Sequence, residues 1–133
     1  MTFNEILTKY REIAFTEKEK GTLFEKLMKR WLQTDPRFSN YLSTVWLWDE
    51  FPSRKDFGDG KDCGIDLVAR TDDGDYWAIQ CKCYAETTTI DKPAVDSFLS
   101  WSSKFFQDPD TFQKRKFSHR LWISTTNKWG PTD

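Results

Sequence analysis

The sequence predicts an α/β fold: a mixed four-stranded sheet flanked by helices, with element order α, α, β, β, β, α, β and the first helix an addition at the N-terminus. Three observations predict it. Two early segments carry apolar residues at helical spacing. Two later runs, about 64–70 and 75–83, are rich in strand formers and separated by a tight-turn sequence. A third helical segment lies between that hairpin and a last apolar strand, so the sheet resumes through a crossover and contains parallel and antiparallel pairs. At 133 residues the chain fits one domain, 1–133, with room for a hydrophobic core.

Residues 4–15 read as a helix, with Ile6, Leu7, Tyr10 and Ile13 on one side and Thr2 or Asn4 as N-cap. A second helix, about 20–33, sets Leu23, Phe24, Leu27, Met28, Trp31 and Leu32 on an apolar face, and Asp35-Pro36 stops it. Thr44 to Phe51 is strand-like, and Ser53 to Cys63 reads as an exposed loop. Residues 91–106 form the crossover helix, with Asp91 as N-cap, Pro93 in the first turn, and Val95, Phe98, Leu99 and Phe106 at helical spacing. A loop about Asp108-Pro109 leads to the strand Arg120–Thr125. The chain ends soon after that strand, as expected for the front piece of a longer polypeptide.

The hairpin fixes a register. Asp72-Asp73-Gly74 suits a three-residue turn closed by a left-handed residue, which Gly74 supplies without a Cβ penalty. Thr71 then pairs with Asp75, and residue 66 with residue 80. Opposed side chains share a face about 4.5–5.5 Å apart at Cβ. Asp66 is therefore expected beside Gln80, with Lys82 on the same side. Ile65, Leu67 and Ala69 are expected on the other face with Trp77, Ile79 and Cys81, and a one-residue slip would bury Asp66.

Composition excludes several classes. With 7 Trp, 4 Tyr and 11 Phe against 31% charged residues, the chain is globular rather than disordered. No apolar run approaches the roughly 20 residues of a membrane span, and the polar N-terminus is no signal peptide. Three cysteines, Cys63, Cys81 and Cys83, in an unexported chain imply reduced thiols and a cytoplasmic setting. Their spacing, with the single His119, is a poor match to structural zinc. Net charge is −1, so any nucleic-acid affinity must come from local patches. Lys26, Lys29 and Arg30 form one basic group, and Lys114-Arg115-Lys116 with His119 and Arg120 form another. On charge alone both read as solvated faces.

A carboxylate, an amide oxygen and an ammonium group on one sheet face suit phosphodiester hydrolysis. That reaction needs a hard cation on the phosphoryl oxygen, a nearby water, and positive charge for the transition state. Mg²⁺ prefers oxygen ligands and retains several waters, so a site with few protein oxygens suffices. Asp66 would be the anionic ligand, Gln80 would give its side-chain carbonyl, and Cys81 its backbone carbonyl. Lys82 would orient the attacking water or stabilise the developing charge. The rival reading makes these three an ordinary solvated strand face.

The Gly64-Ile65-Asp66 run, then Gln80-Cys81-Lys82 after a hairpin, with Glu25 on a preceding helix, resembles the PD-(D/E)XK nuclease superfamily. Within it the chain is similar to the Mrr-type branch with Gln-x-Lys, and from Gly21 to Thr126 to the N-terminal nuclease domain of type ISP restriction–modification enzymes. The resemblance implies a restriction-endonuclease-like αβββαβ core and catalytic Asp66, Gln80 and Lys82, with Glu25 adding to the metal shell. It implies Mg²⁺, with Mn²⁺ as a substitute, and nicking of double-stranded DNA. ATP and S-adenosylmethionine would act only through further domains of the same polypeptide: a helicase-like ATPase, a methyltransferase and a target-recognition domain. Two departures stand out. Ile65 replaces proline, and Gln80 replaces a carboxylate, removing one negative charge from the metal site. By position, Arg54, Lys55 and Lys61, and more weakly Ser124 and Thr125, are candidate DNA contacts. The alternative reading is a non-cleaving module that holds DNA or docks a protein, and for Glu25 a solvent-facing helix acid stays open.

Overall fold

Four strands form the central sheet, in spatial order β1 (Leu42–Leu47), β2 (Leu67–Thr71), β3 (Tyr76–Lys82) and β6 (His119–Ser124). The first three run antiparallel to their neighbours, and β3 pairs with β6 in parallel. The computed structural model describes Thr2, Glu5 and residues 17–58, 64–82 and 92–124. The helix expected over 4–15 lies almost wholly outside them. So do Lys61, Cys63, Cys83 and Thr125.

Helix α1 (Glu17–Thr34) covers one face of the sheet. Phe24, Met28 and Leu32 recur every fourth residue and are at most 1% exposed, packed on Leu67, Ala69, Ile79 and Cys81. Asp35-Pro36 ends it as expected, and Asp35 then caps the short helix α2 (Pro36–Ser39) by accepting the Arg37 N–H at 2.9 Å. The opposite face carries helix α3 (Lys92–Ser102) and an aromatic core of Phe51, Phe57, Tyr76, Phe98, Phe106 and Phe117. The sheet is thus enclosed by helices in the restriction-endonuclease-like arrangement that the sequence predicts.

Three expectations need correction. Strand β1 starts earlier and stops at Leu47, because Glu50 accepts the Leu47 N–H at 2.8 Å and the chain winds into a 3-10 turn. Of the 53–63 segment, the described residues 53–58 are not simply an exposed loop. Ser53 and Phe57 are buried, the Ser53 hydroxyl donating to the Gln107 carbonyl while Phe57 packs on Phe106 and Phe117. Helix α3 ends at Ser102, short of Phe106. The Ser103 hydroxyl turns back to the Leu99 carbonyl at 2.7 Å, and the Arg120 guanidinium takes both Ser102 and Ser103 hydroxyls. Phe106 instead opens a small hairpin, β4 (Phe106–Gln107) with β5 (Lys114–Arg115), where a plain loop is expected.

Candidate metal and phosphodiester site

The β2–β3 register is the one the turn dictates: Leu67 faces Ile79, Val68 faces Ala78, Ala69 faces Trp77 and Arg70 faces Tyr76. The Thr71 N–H donates to the Asp75 carbonyl at 2.8 Å, and Gly74 takes φ +90°. At the other end the ladder changes. The Asp66 N–H donates at 2.9 Å to the Ile79 carbonyl, although Ile79 is already opposite Leu67. Two residues thus oppose one, which is the pattern of a β-bulge. The consequence is visible in the packing. Ile65 joins Val68, Ala78 and Phe98 on the α3 side, not Leu67 and Ala69 as strict alternation requires.

The bulge also redirects Asp66. Its Oδ2 accepts the Cys81 N–H at 2.8 Å, so its carboxylate is fixed on the residue between Gln80 and Lys82. On the α1 side, Glu25 approaches the same strand. Burial raises the Cys81 thiol well above its ordinary value, and the Asp66 and Glu25 carboxylates push in the same direction. Both acids are therefore within electrostatic reach of one side chain.

Gln80 and Lys82 are two residues apart on β3 and share the other face. Gln80 is 3% exposed, and its Oε1 has no hydrogen-bond partner among the described residues. An orphaned buried amide oxygen costs about 1–3 kcal/mol. Gly64 leaves room beside it. A Cβ there would stand 3.5 Å from Gln80 Oε1, and the φ of +75° favours glycine. Lys82 is half-buried opposite Ser124, at the end of the parallel ladder. Arg54 and Lys55 lie exposed on a 3-10 turn.

The donors Asp66, Glu25 and the Gln80 amide are all hard oxygens, and the unfilled Gln80 Oε1 fits a magnesium-type ion. Among the described residues no three His, Cys, Asp or Glu side chains form a metal cluster. The set holds two carboxylates and an amide. Gly64 and the bulge at Asp66 shape the surroundings of Gln80 and Cys81 in a way that spacing alone did not reveal, although the glycine two residues before the acid was the available signal.

The fold is that of the restriction-endonuclease class, and the comparisons give the family. Residues 33–132 match the Mrr_cat_2 restriction endonuclease family, so the chain belongs to it. Among solved structures it is similar to an ATP-dependent type ISP restriction–modification enzyme, LlaBIII, bound to DNA, with 26% identity and a TM-score of 0.61. The match covers 98% of this chain and 7% of that one. No curated protein matches.

Proposed function

We propose that this domain is the Mg²⁺-dependent cleavage module of a larger ATP-driven restriction–modification enzyme, and that it nicks duplex DNA. The observation that carries the reading is the pairing of a buried, unpartnered Gln80 Oε1 with an Asp66 carboxylate locked onto the adjacent Cys81 amide. Asp66 and Gln80 would hold the ion, Glu25 would add charge from α1, and the Cys81 carbonyl would complete the protein ligands. When bound, the cation supplies Lewis-acid polarisation of the phosphoryl oxygen.

The remaining work falls to Lys82. Its ammonium sits past Gln80 on the same face, where it orients the attacking water and offsets charge growing on the phosphoryl oxygens. Water bonds to phosphorus in line as the opposite P–O bond breaks, and one site cuts one strand. Arg54 and Lys55, with Lys61, Ser124 and Thr125, are proposed to contact the DNA backbone.

Nicking of a supercoiled plasmid by the intact polypeptide tests this reading. Asp66→Ala is expected to abolish nicking, and Lys82→Ala to slow it about 10²–10⁴-fold. Undiminished nicking by both folded variants would overturn the assignment.

A further inference from the structure

The β4–β5 hairpin exposes what folding normally hides. Phe112 is 70% exposed and Phe105 51%. Phe112 is also the single non-glycine residue with positive φ, +62°, among the described residues. A bulky residue in that conformation is strained. The turn explains the geometry: Asp108 Oδ1 accepts the N–H groups of Asp110 and Thr111, and the Phe112 N–H closes onto the Asp108 carbonyl at 3.0 Å. The closing position suits glycine. A phenylalanine there places a phenyl group in solvent at an energetic cost that nothing in the core recovers.

Lysines lie over Phe105 and the half-buried Trp101 nearby. Lys114 and Lys116 Nζ lie 4.2 and 4.9 Å from the Phe105 ring centre, and Lys104 lies 4.9 Å from that of Trp101. None of the three joins an ion pair among the described residues. A groove of about 250 Å³ runs between the two phenylalanines, lined also by Phe106, Gln107, Lys114 and Asp56. The Asp56 carboxylate is engaged by the Gln107 N–H. Phe106 packs 5.2 Å from Tyr76, the first residue of β3. The patch is therefore roughly 20 Å of strand from Lys82, separate from the cleavage site.

We propose that this hairpin is a second nucleic-acid surface that holds single-stranded DNA without reading its sequence. Lys104, Lys114 and Lys116 take the phosphates, and Phe112 offers its ring to an unpaired base. Aromatic platforms beside a basic track bind single strands in this way. Protein interfaces are depleted in lysine, which argues against a docked domain as the occupant. Only the choice of DNA rests on the nuclease reading.

Fluorescence anisotropy with a labelled single-stranded oligonucleotide and its duplex, in EDTA, tests the surface without any cleavage step. The full chain is expected to bind the single strand more tightly than the duplex. Lys114→Glu/Lys116→Glu should weaken binding at least tenfold and reduce the salt slope by about 1.4, two phosphates' worth. Phe112→Gly relieves the backbone strain, so it should melt no lower than the parent yet bind about tenfold more weakly at an unchanged slope. Parent-like binding of the single strand by both variants would overturn the proposal. Asp66→Ala should leave this binding intact while removing nicking, which separates the two claims.

Discussion

Gln80 is where chemistry and stability meet. Its buried Oε1 has no hydrogen-bond partner among the described residues, and in the proposed function it becomes a ligand when a cation arrives, so metal binding should stabilise the fold. Gln80→Glu puts a carboxylate at this position, as the resemblance implies for such sites. We expect this variant to melt below the parent in EDTA, since it buries a charge, and to gain more melting temperature from Mg²⁺. An equal Mg²⁺-induced shift in both proteins would place Gln80 outside the ion's reach. The sequence could set Gln80 and Lys82 on one face of β3 because strand alternation is rigid. It misplaced Asp66, because one extra residue in a bulge is invisible to alternation. Glu25 was ambiguous for a different reason: the spacing of a helix acid beside Lys26 fits a solvent-facing position as well as a site.

Among the elements, the β2–β3 hairpin was the most legible, because Asp72-Asp73-Gly74 sets the turn and the turn sets the register. The β4–β5 hairpin was illegible, because Phe112 stands where glycine would have signalled it. Two tests belong here. Phe106 fills the junction of Phe51, Tyr76 and Phe117, at 5.6, 5.2 and 4.8 Å between ring centres. Phe106→Ala should cost about 3–5 kcal/mol by urea unfolding. The hairpin should also loosen in acid. Burial alone would raise the Asp108 carboxyl, but the Asp110 and Thr111 N–H groups and Arg115 outweigh it and lower the value from 3.8. A depressed carboxyl stabilises the fold above its ordinary range, and that stability fades as pH falls through the lowered value. Amide exchange at Phe112 should therefore quicken below about pH 4 relative to the core. An Asp108→Asn variant should lack that step. If its exchange keeps the same acid dependence, Asp108 is not the group responsible.

For the whole molecule, the chain spans only a small fraction of the length of the restriction–modification enzyme it resembles. Among the described residues no helix is long and apolar enough to cross a membrane. The overall order of helices and strands was readable because apolar periodicity and turn chemistry agreed. The second functional surface was not, because a basic run such as Lys114-Arg115-Lys116 carries no sign of which aromatics will stand beside it. One site per chain predicts that nicked circles accumulate before linear product when plasmid is the substrate. Direct appearance of linear product would require paired sites acting together.

The most direct measurement is a titration of Mn²⁺ with the protein, following free ion by electron paramagnetic resonance. The account predicts that the parent chain takes up Mn²⁺, that Mg²⁺ competes for the same site, and that Asp66→Ala loses it. Equal Mn²⁺ uptake by parent and Asp66→Ala would contradict a cation held at the end of β2.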